Sequence, residues 1–250
     1  MPKRTEKTRP RTLVVGDIHG GYAALKQVLK RASVTPADTL IFLGDYVDGW
    51  SASAALISWL ISLSQRQSCL FLKGNHDIWC EHWLATCEIP TSWMANGGAS
   101  TMLSYESVSL QKRQEHLAFF QAMSFWHRDA QNRLFVHAGF TDMYGAEKES
   151  HKEVLLWDRT LWEMALCMRP RLGQDNPAYP QRLKNYAEIY LGHTPVLRYG
   201  VTTPLHRANV WNMDTGAGFT GPLTIMDIHT KTFWQSDPLP LLYPLEKGRN

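Results

Sequence analysis

Polar residues that can bind a metal ion follow five segments that the sequence predicts to be buried strands. Each segment ends in a turn with glycine and at least one carboxylate, imidazole or amide side chain. A single turn of this kind is also typical of a solvent-exposed histidine or of a helix N-cap. Five such turns in one chain instead indicate a common site. The candidate ligands are Asp17, His19, Asp45, Asn75, His137 and His193.

The donor atoms of these residues indicate the chemistry of the site. Carboxylate, imidazole and amide donors suit Mn²⁺, Fe²⁺, Zn²⁺ or Mg²⁺, and a set without thiolates argues against a structural zinc site. Two divalent ions about 4 Å apart can stabilise both the attacking and the leaving oxygen of a phosphoryl group. Asp45 lies in the middle of the ligand order and is the candidate for a carboxylate shared by two ions. The set therefore predicts phosphoester hydrolysis at a dinuclear centre.

The predicted elements bring these turns together. Strands alternate with helices in the first half of the chain, which predicts a predominantly parallel sheet with ligand-bearing loops beyond the carboxyl ends of its strands. Residues 170–181 are rich in Pro, Gly and polar side chains and predict a surface loop. The last two strands are expected to form a hairpin. The predicted strands are 12–15, 39–43, 69–72, 134–136, 188–191, 210–213, 223–228 and 232–234, and the helices are 22–32, 54–63 and a segment beginning near His76.

Length and charge limit the domain organisation and the partners. With 250 residues, 44% of them hydrophobic, the chain can bury one sizeable core, and we expect a single domain over residues 12–250. Residues 1–11 carry five basic side chains and predict a disordered basic tail. The rest of the chain has one acidic residue more than it has basic ones, so it lacks the positive charge that binds phosphate backbones. We therefore expect no nucleic-acid partner.

Cysteine usage and hydropathy indicate the compartment. The four cysteines form no C-x-x-C pair and have no regular spacing, as expected for reduced thiols. The chain starts with a charged segment rather than an apolar signal region, and the longest apolar stretch, 54–63, is too short to span a bilayer. We therefore expect a cytoplasmic protein without membrane contact. The sequence does not indicate an oligomeric state.

The five turns resemble the signature blocks of calcineurin-like metallophosphoesterases. Three further features resemble the phosphoprotein phosphatase branch of that family in its phage and bacterial form: Val47-Asp48, Asn96-Gly97-Gly98 and Leu156-Trp157-Asp158-Arg159. The resemblance covers residues 16–194 and extends to Asp214-Thr215-Gly216-Ala217. The five blocks are Gly16-Asp17-Ile18-His19-Gly20, Gly44-Asp45-Tyr46-Val47-Asp48-Gly49, Gly74-Asn75-His76-Asp77, His137-Ala138-Gly139 and Gly192-His193-Thr194.

This resemblance implies a fold and a division of the ligands between two ions. The implied fold is α/β, with two mixed β-sheets flanked by helices in a four-layer α/β/β/α sandwich. A hydroxide that bridges the ions would attack the phosphate. One ion would be bound by Asp17, His19 and Asp45, and the other by Asp45, Asn75, His137 and His193.

The resemblance also implies roles for residues around the metals. His76 would be the general acid that protonates the leaving alkoxide, and Asp48 would orient it. Arg159 and Asn75 would bind the substrate phosphate. An alternative for Arg159 is a surface cation on an amphipathic helix.

One position departs from the family pattern. The second block of the family usually continues Asp-Arg-Gly, and its arginine binds phosphate, but here Asp48 is followed by Gly49 and Trp50. Either another cation replaces that arginine, with Lys73 and Arg207 as candidates, or the substrate preference differs. Trp50 is either a half-buried anchor of its loop or a surface for a flat substrate such as phosphotyrosine or a nucleobase.

Three functions remain open on the sequence alone. The leading hypothesis is a protein phosphatase that acts on phosphoserine and phosphothreonine, with phosphotyrosine or a small phosphoester as further candidate substrates and Mn²⁺ as the first choice of metal in vitro. Hydrolysis of a dinucleoside polyphosphate or another nucleotide is an alternative. A metal-binding pseudo-phosphatase that serves as a partner-binding module is disfavoured, because His76, Asp48 and every matched ligand are present.

Overall fold

Residues 10–170 and 172–249 are described by a computed structural model. Their strands are β1 (Thr12–Val15), β2 (Thr39–Phe42), β3 (Ser68–Phe71), β4 (Trp126–Arg128), β5 (Arg133–Val136), β6 (Glu188–Leu191), β7 (Leu205–Arg207), β8 (Val210–Asn212), β9 (Thr224–Asp227) and β10 (Phe233–Gln235). Their α-helices are α1 (Tyr22–Arg31), α2 (Ser53–Ser64), α3 (Asn75–Thr86), α4 (Thr91–Met94), α5 (Gly98–Ser104), α6 (Leu110–Gln121), α7 (Val154–Trp157), α8 (Thr160–Cys167), α9 (Gln181–Lys184) and α10 (Leu239–Leu242). Two short 3₁₀ helices are Ala146–Lys148 and Val196–Tyr199.

The strands form two mixed sheets of five. In the first sheet, with the order β10-β9-β1-β2-β3, strands β1, β2 and β3 are parallel, and β9 pairs antiparallel with β1 and β10. In the second sheet, with the order β4-β5-β6-β8-β7, strands β5, β6 and β8 are parallel, and antiparallel strands form both edges. The predicted fold with two mixed sheets is confirmed, and so is the hairpin of the last two strands.

The two sheets pack face to face, and helices cover their outer faces. Residues of α1 and α2 pack on the first sheet, and residues of α8 and α9 pack on the second. Because both faces of the central strands are covered, these strands are apolar along their length. The order of layers is therefore α/β/β/α. The apolar layer between the sheets consists of Val14, Ile41, Leu43, Leu72, Phe135, Tyr190, Met213, Met226 and Ile228.

Ordered structure begins before Thr12. Arg11 forms an ion pair with Asp38 at 2.7 Å and donates hydrogen bonds to the carbonyl groups of Ala32 and Ser33. Burial opposes ionisation of Asp38, but hydrogen bonds from Arg11 and from the Thr35 backbone outweigh it and lower the pKa of Asp38 to about 2. The prediction of a disordered tail over residues 1–11 is therefore wrong at Arg11, and its part for residues 1–9 lies outside the described residues.

The helices of the described ranges are short. The longest, such as α2 and α3, contain 12 residues, whereas a membrane span needs about 20. None of the helices in residues 10–170 and 172–249 is long and apolar enough to cross a bilayer.

Candidate metal centre

The five predicted turns lie at the carboxyl ends of parallel strands from both sheets. In the first sheet, β1 leads to Asp17 and His19, β2 to Asp45, and β3 to Asn75 at the start of α3. In the second sheet, β5 leads to His137 and β6 to His193. The face-to-face packing of the sheets therefore brings both groups of turns to one end of the sandwich.

Several residues of these turns have unfavourable backbone conformations. The φ angles of His19, Asp45, Asp48 and His193 are 51°, 54°, 71° and 65°. A left-handed conformation is uncommon for residues other than glycine and costs about 1–3 kcal/mol at each position. Such strain clusters at functional sites because packing elsewhere in the fold offsets it.

Glycine is required where neighbouring turns approach each other. A Cβ atom on Gly74 would lie 2.1 Å from Oδ1 of Asp45, and one on Gly192 would lie 2.0 Å from Oδ1 of Asp17. Both distances are far below van der Waals contact. Any larger residue at either position would displace a candidate metal ligand.

The candidate ligand atoms form two groups around Asp45. Oδ2 of Asp45 lies 3.6 Å from Nε2 of His19 and 3.4 Å from Nε2 of His137. Oδ1 of Asn75 lies 3.1 Å from Nε2 of His137 and 2.9 Å from Nδ1 of His193. Within each group the ligand atoms lie within 4.8 Å of one another. The groups are His19, Asp45 and His76, and Asp45, His137 and His193. The first group thus contains His76, which was not predicted as a ligand, and lacks Asp17, which was.

Two buried ligand atoms have no hydrogen-bond partner among the described residues. They are Oδ1 of Asp17 and Nε2 of His193. A buried polar atom without a partner costs about 1–3 kcal/mol, and a divalent cation would remove that cost for Oδ1 of Asp17. The donor types match those that first-row divalent ions prefer. The residues present therefore fit two metal ions that share Asp45.

The charges of the centre also favour cations. Burial and the nearby carboxylate of Asp214 raise the pKa of Asp17 well above its usual range, and burial raises the pKa of Asp214 to about 6. Burial lowers the pKa of His19 and of His193, which keeps both imidazoles neutral. Burial opposes the charged form of His137, but the carboxylate of Asp45 outweighs it and raises the pKa of His137 to about 10. Because side chains bind metals as carboxylates and neutral imidazoles, a bound cation would displace protons from Asp17 and His137.

His76 and Asp48 form a buried pair beside these ligands. Nδ1 of His76 lies 2.6 Å from Oδ2 of Asp48. The His76 ring lies edge-on to the rings of His19 and Trp79, with centroid distances of 5.0 and 5.1 Å. Because Asp48 contacts one imidazole nitrogen, the other is left for proton transfer or for a metal. The geometry permits both roles.

A family comparison agrees with this architecture. The family model described as calcineurin-like phosphoesterase matches residues 10–208. This protein is a calcineurin-like phosphoesterase. It is accordingly a metal-dependent hydrolase of phosphoric esters, and the predicted family is confirmed.

Relatives of this phosphoesterase have different named substrates. This phosphoesterase is 27% identical over 218 residues to Serine/threonine-protein phosphatase 1 of Salmonella typhimurium. The alignment covers 86% of this chain and 90% of the relative. It is 25% identical over 290 residues to the symmetrical Bis(5'-nucleosyl)-tetraphosphatase of Pseudomonas fluorescens. That alignment covers 93% of this chain and 98% of the relative. A solved protein serine/threonine phosphatase from Saccharomyces cerevisiae has a TM-score of 0.58 at 15% identity, covering 90% of this chain and 75% of that one. The two relatives support phosphoester hydrolysis and leave the substrate open, whereas the solved structure supports the fold alone.

The sequence did not reveal Asp77 as part of the phosphoesterase site. Its carboxylate accepts backbone N–H hydrogen bonds from Asp45 and Gly74 at 2.8 Å and from Tyr46 at 2.9 Å. Asp77 thus connects the second and third turns. An acidic residue at the third position of a predicted helix is a capping signal that could have identified it.

Asp48 also has two supports that the sequence did not reveal. Nε1 of Trp93 and Oγ1 of Thr101 donate hydrogen bonds to its carboxylate at 2.8 and 2.6 Å. They come from α4 and α5, which no local pattern connects to the second turn. Asp214, in contrast, follows β8 in a polar turn, so the signal that identified the candidate ligands also applies to it.

The structure distinguishes among the predicted phosphate-binding cations. Arg159 is exposed just before α8, and its charge adds to burial in lowering the pKa of His193, so it lies near the centre. Lys73 donates a hydrogen bond to Glu81 at 2.6 Å. Arg207 is exposed on the edge strand β7. Neither Lys73 nor Arg207 is supported as a replacement for the missing arginine.

Trp50 is fully buried, so the predictions of a half-buried anchor and of a substrate platform are both wrong. Its ring stacks on Tyr243 with a centroid distance of 5.3 Å, and its N–H donates a hydrogen bond to the carbonyl of Ala217 at 2.6 Å. Trp50 therefore attaches the second turn to the C-terminal part of the chain.

Proposed function

We propose that this phosphoesterase removes phosphate from phosphoserine and phosphothreonine in proteins. The observation that supports this most is the buried His76–Asp48 pair beside the candidate ligands. Serine and threonine alkoxides are poor leaving groups, and hydrolysis of their phosphates requires a positioned proton donor. Asp48 holds the imidazole of His76, which delivers the proton to the departing oxygen.

The metal ligands in this proposal are the residues of the five turns. Mn²⁺ is the proposed ion for activity in vitro, with Fe²⁺, Zn²⁺ and Mg²⁺ compatible with the same donors. When bound, two ions supply Lewis-acid stabilisation of the phosphoryl oxygens and activate the attacking water. The proposed ligands are Asp17, His19, Asp45, Asn75, His137 and His193.

Other side chains orient the phosphate. Arg159, exposed at the edge of the centre, has a planar guanidinium that can donate two parallel hydrogen bonds to a phosphate. Asn75 faces His137 and His193 through its Oδ1 atom. Its amide group leaves Nδ2 as a donor for a phosphate oxygen.

A second candidate is hydrolysis of a dinucleoside polyphosphate. One observation beyond the tetraphosphatase relative favours it: Trp157, 44% exposed, lies edge-on to Trp79 at 5.2 Å and to His193 at 5.9 Å. Aromatic rings at the rim of a site can stack on nucleobases. A phosphotyrosine ring would use the same surface.

A substrate panel tests the two candidates. The Mn²⁺-reconstituted protein would be given phosphoserine, phosphothreonine and phosphotyrosine peptides, an aryl phosphate and diadenosine tetraphosphate. We expect the highest kcat/KM for phosphoserine or phosphothreonine peptides. A higher kcat/KM for the tetraphosphate would favour the second candidate. If the protein binds metal but cleaves none of them, the hydrolase proposal fails and a binding module replaces it.

A further inference from the structure

We propose that Arg249 binds the substrate phosphate in place of the arginine that position 49 lacks. The inference rests on the proposed phosphoester hydrolysis. Arg249 lies 230 residues from His19 along the chain, yet its Nη1 atom is 3.3 Å from Nε2 of that candidate ligand. The guanidinium therefore reaches the centre from a part of the chain that no signature block includes.

The guanidinium of Arg249 has donors to spare. Its Nε atom is buried and has no hydrogen-bond partner among the described residues. Its guanidinium contacts the imidazole of His19 and forms no ion pair within residues 10–170 and 172–249, although its charge partly offsets the effect of burial on the pKa of Asp214. After burial, its charge is the strongest influence that lowers the pKa of His19. A cation with free donors at this place is suited to an anionic ligand.

Three glycines make room for the Arg249 side chain. A Cβ atom on Gly49 would lie 3.1 Å from Cγ of Arg249, and one on Gly97 would lie 3.4 Å from the same atom. A Cβ atom on Gly218 would lie 3.2 Å from Cδ. The stem of Arg249 thus occupies the space in which a side chain at position 49 would begin. The absence of a side chain at position 49 therefore leaves the space that the Arg249 side chain fills.

Contacts with residues 218–219 and with the second turn hold the segment of Arg249 in this place. Its backbone N–H donates a hydrogen bond to Gly218 at 2.9 Å, and its guanidinium lies 5.1 Å from the centre of the Phe219 ring. Three residues earlier, the Glu246 carboxylate accepts hydrogen bonds from the N–H and hydroxyl groups of Ser51 at 2.8 and 2.7 Å. The segment that carries Arg249 is therefore fastened to the turn that lacks the arginine.

Phosphate binding and kinetics test this role in the full chain loaded with Mn²⁺. The variants are Arg249→Ala, Arg249→Lys and, as a matched control, Arg207→Ala, which removes an exposed arginine from β7. We expect Arg249→Ala to weaken binding of inorganic phosphate, measured by calorimetry, at least about 10-fold, and to lower kcat/KM for a phosphopeptide by roughly 10- to 100-fold. Arg249→Lys should fall between wild type and Arg249→Ala, because lysine keeps the charge but not the planar donor pair. Arg207→Ala should match the wild type.

The possible failures are distinguishable. If the wild type is active but Arg249→Ala leaves phosphate affinity and kcat/KM unchanged, the inference is wrong while the proposed function stands. If Arg249→Ala only tightens Mn²⁺ binding, Arg249 competes with the metal and the inference is again wrong. If the wild type cleaves no phosphoester, the proposed function fails, and the calorimetric titration still decides whether Arg249 binds phosphate. Arg249→Lys decides the question if Arg249→Ala does not fold.

Discussion

At the scale of single residues, the centre is organised by what each buried polar atom contacts. The carboxylate of Asp48 has no contact with solvent and is surrounded by donors from Trp93 and Thr101 and by the ring of His76. Burying a carboxylate without such partners would be very unfavourable. These contacts fix the position of Asp48, and Asp48 in turn fixes one nitrogen of His76.

Replacing His76 tests whether it is the acid. We expect His76→Asn to lower kcat for a phosphoserine peptide by about 10²- to 10⁴-fold, because general acid catalysis contributes that much to such reactions. The loss should be much smaller for an aryl phosphate, whose leaving group needs little protonation. Steady-state kinetics on both substrates, together with metal analysis, provide the measurement.

The metal content separates the two roles that the geometry of His76 permits. If His76 is the acid, the His76→Asn variant should retain both ions. Equal losses on the two substrates, or the loss of one ion from His76→Asn, would instead identify His76 as a ligand.

At the scale of elements, β–turn–α units carry the proposed ligands, and separate helices position the proposed acid. The units that contain Asp17, Asp45 and Asn75 are each formed by residues close together in the sequence. An apolar run followed by a turn with glycine made each of them predictable. The edge strands β4 and β7 contain three residues each, too few for a periodic pattern. The helices α4 and α5 support Asp48 only through tertiary packing, which no local pattern indicates.

The supporting role of α5 can be measured with Thr101→Val. This change keeps the side-chain shape but leaves the Asp48 carboxylate without one donor and its N–H without an acceptor. We expect a roughly 10- to 100-fold lower kcat for a phosphopeptide, a smaller effect on an aryl phosphate and a lower Tm. Thr86→Val, an exposed change at the end of α3, should alter neither activity. A Tm loss with equal activity losses on both substrates would mean that Thr101 serves stability alone.

At the scale of the whole molecule, the centre depends on residues that are far apart in the chain. Asp17 accepts a hydrogen bond from the backbone of His193, 176 residues later, and this contact joins the two sheets. Sequence patterns could place each ligand at the end of a strand, because strand and turn signals are local. They could not show that Arg249 fills the space beside Gly49, because that contact exists only after both sheets and the C-terminal segment have packed.

Because the proposed ligands come from both sheets, bound metal should stabilise the whole fold. At free metal about 100-fold above Kd, binding to the native state adds about 3 kcal/mol of stability, which corresponds to a Tm increase of roughly 5–10 °C for a chain of this size. We expect chelation of the Mn²⁺-loaded protein to lower Tm by that amount in a calorimetric scan. His193→Ala should reduce the metal-dependent shift, since it removes a proposed ligand of the second sheet. His151→Ala, which removes an exposed histidine outside the centre, should keep the full shift. The same Tm with and without metal in the wild type would show that metal binding does not stabilise the packing of the two sheets.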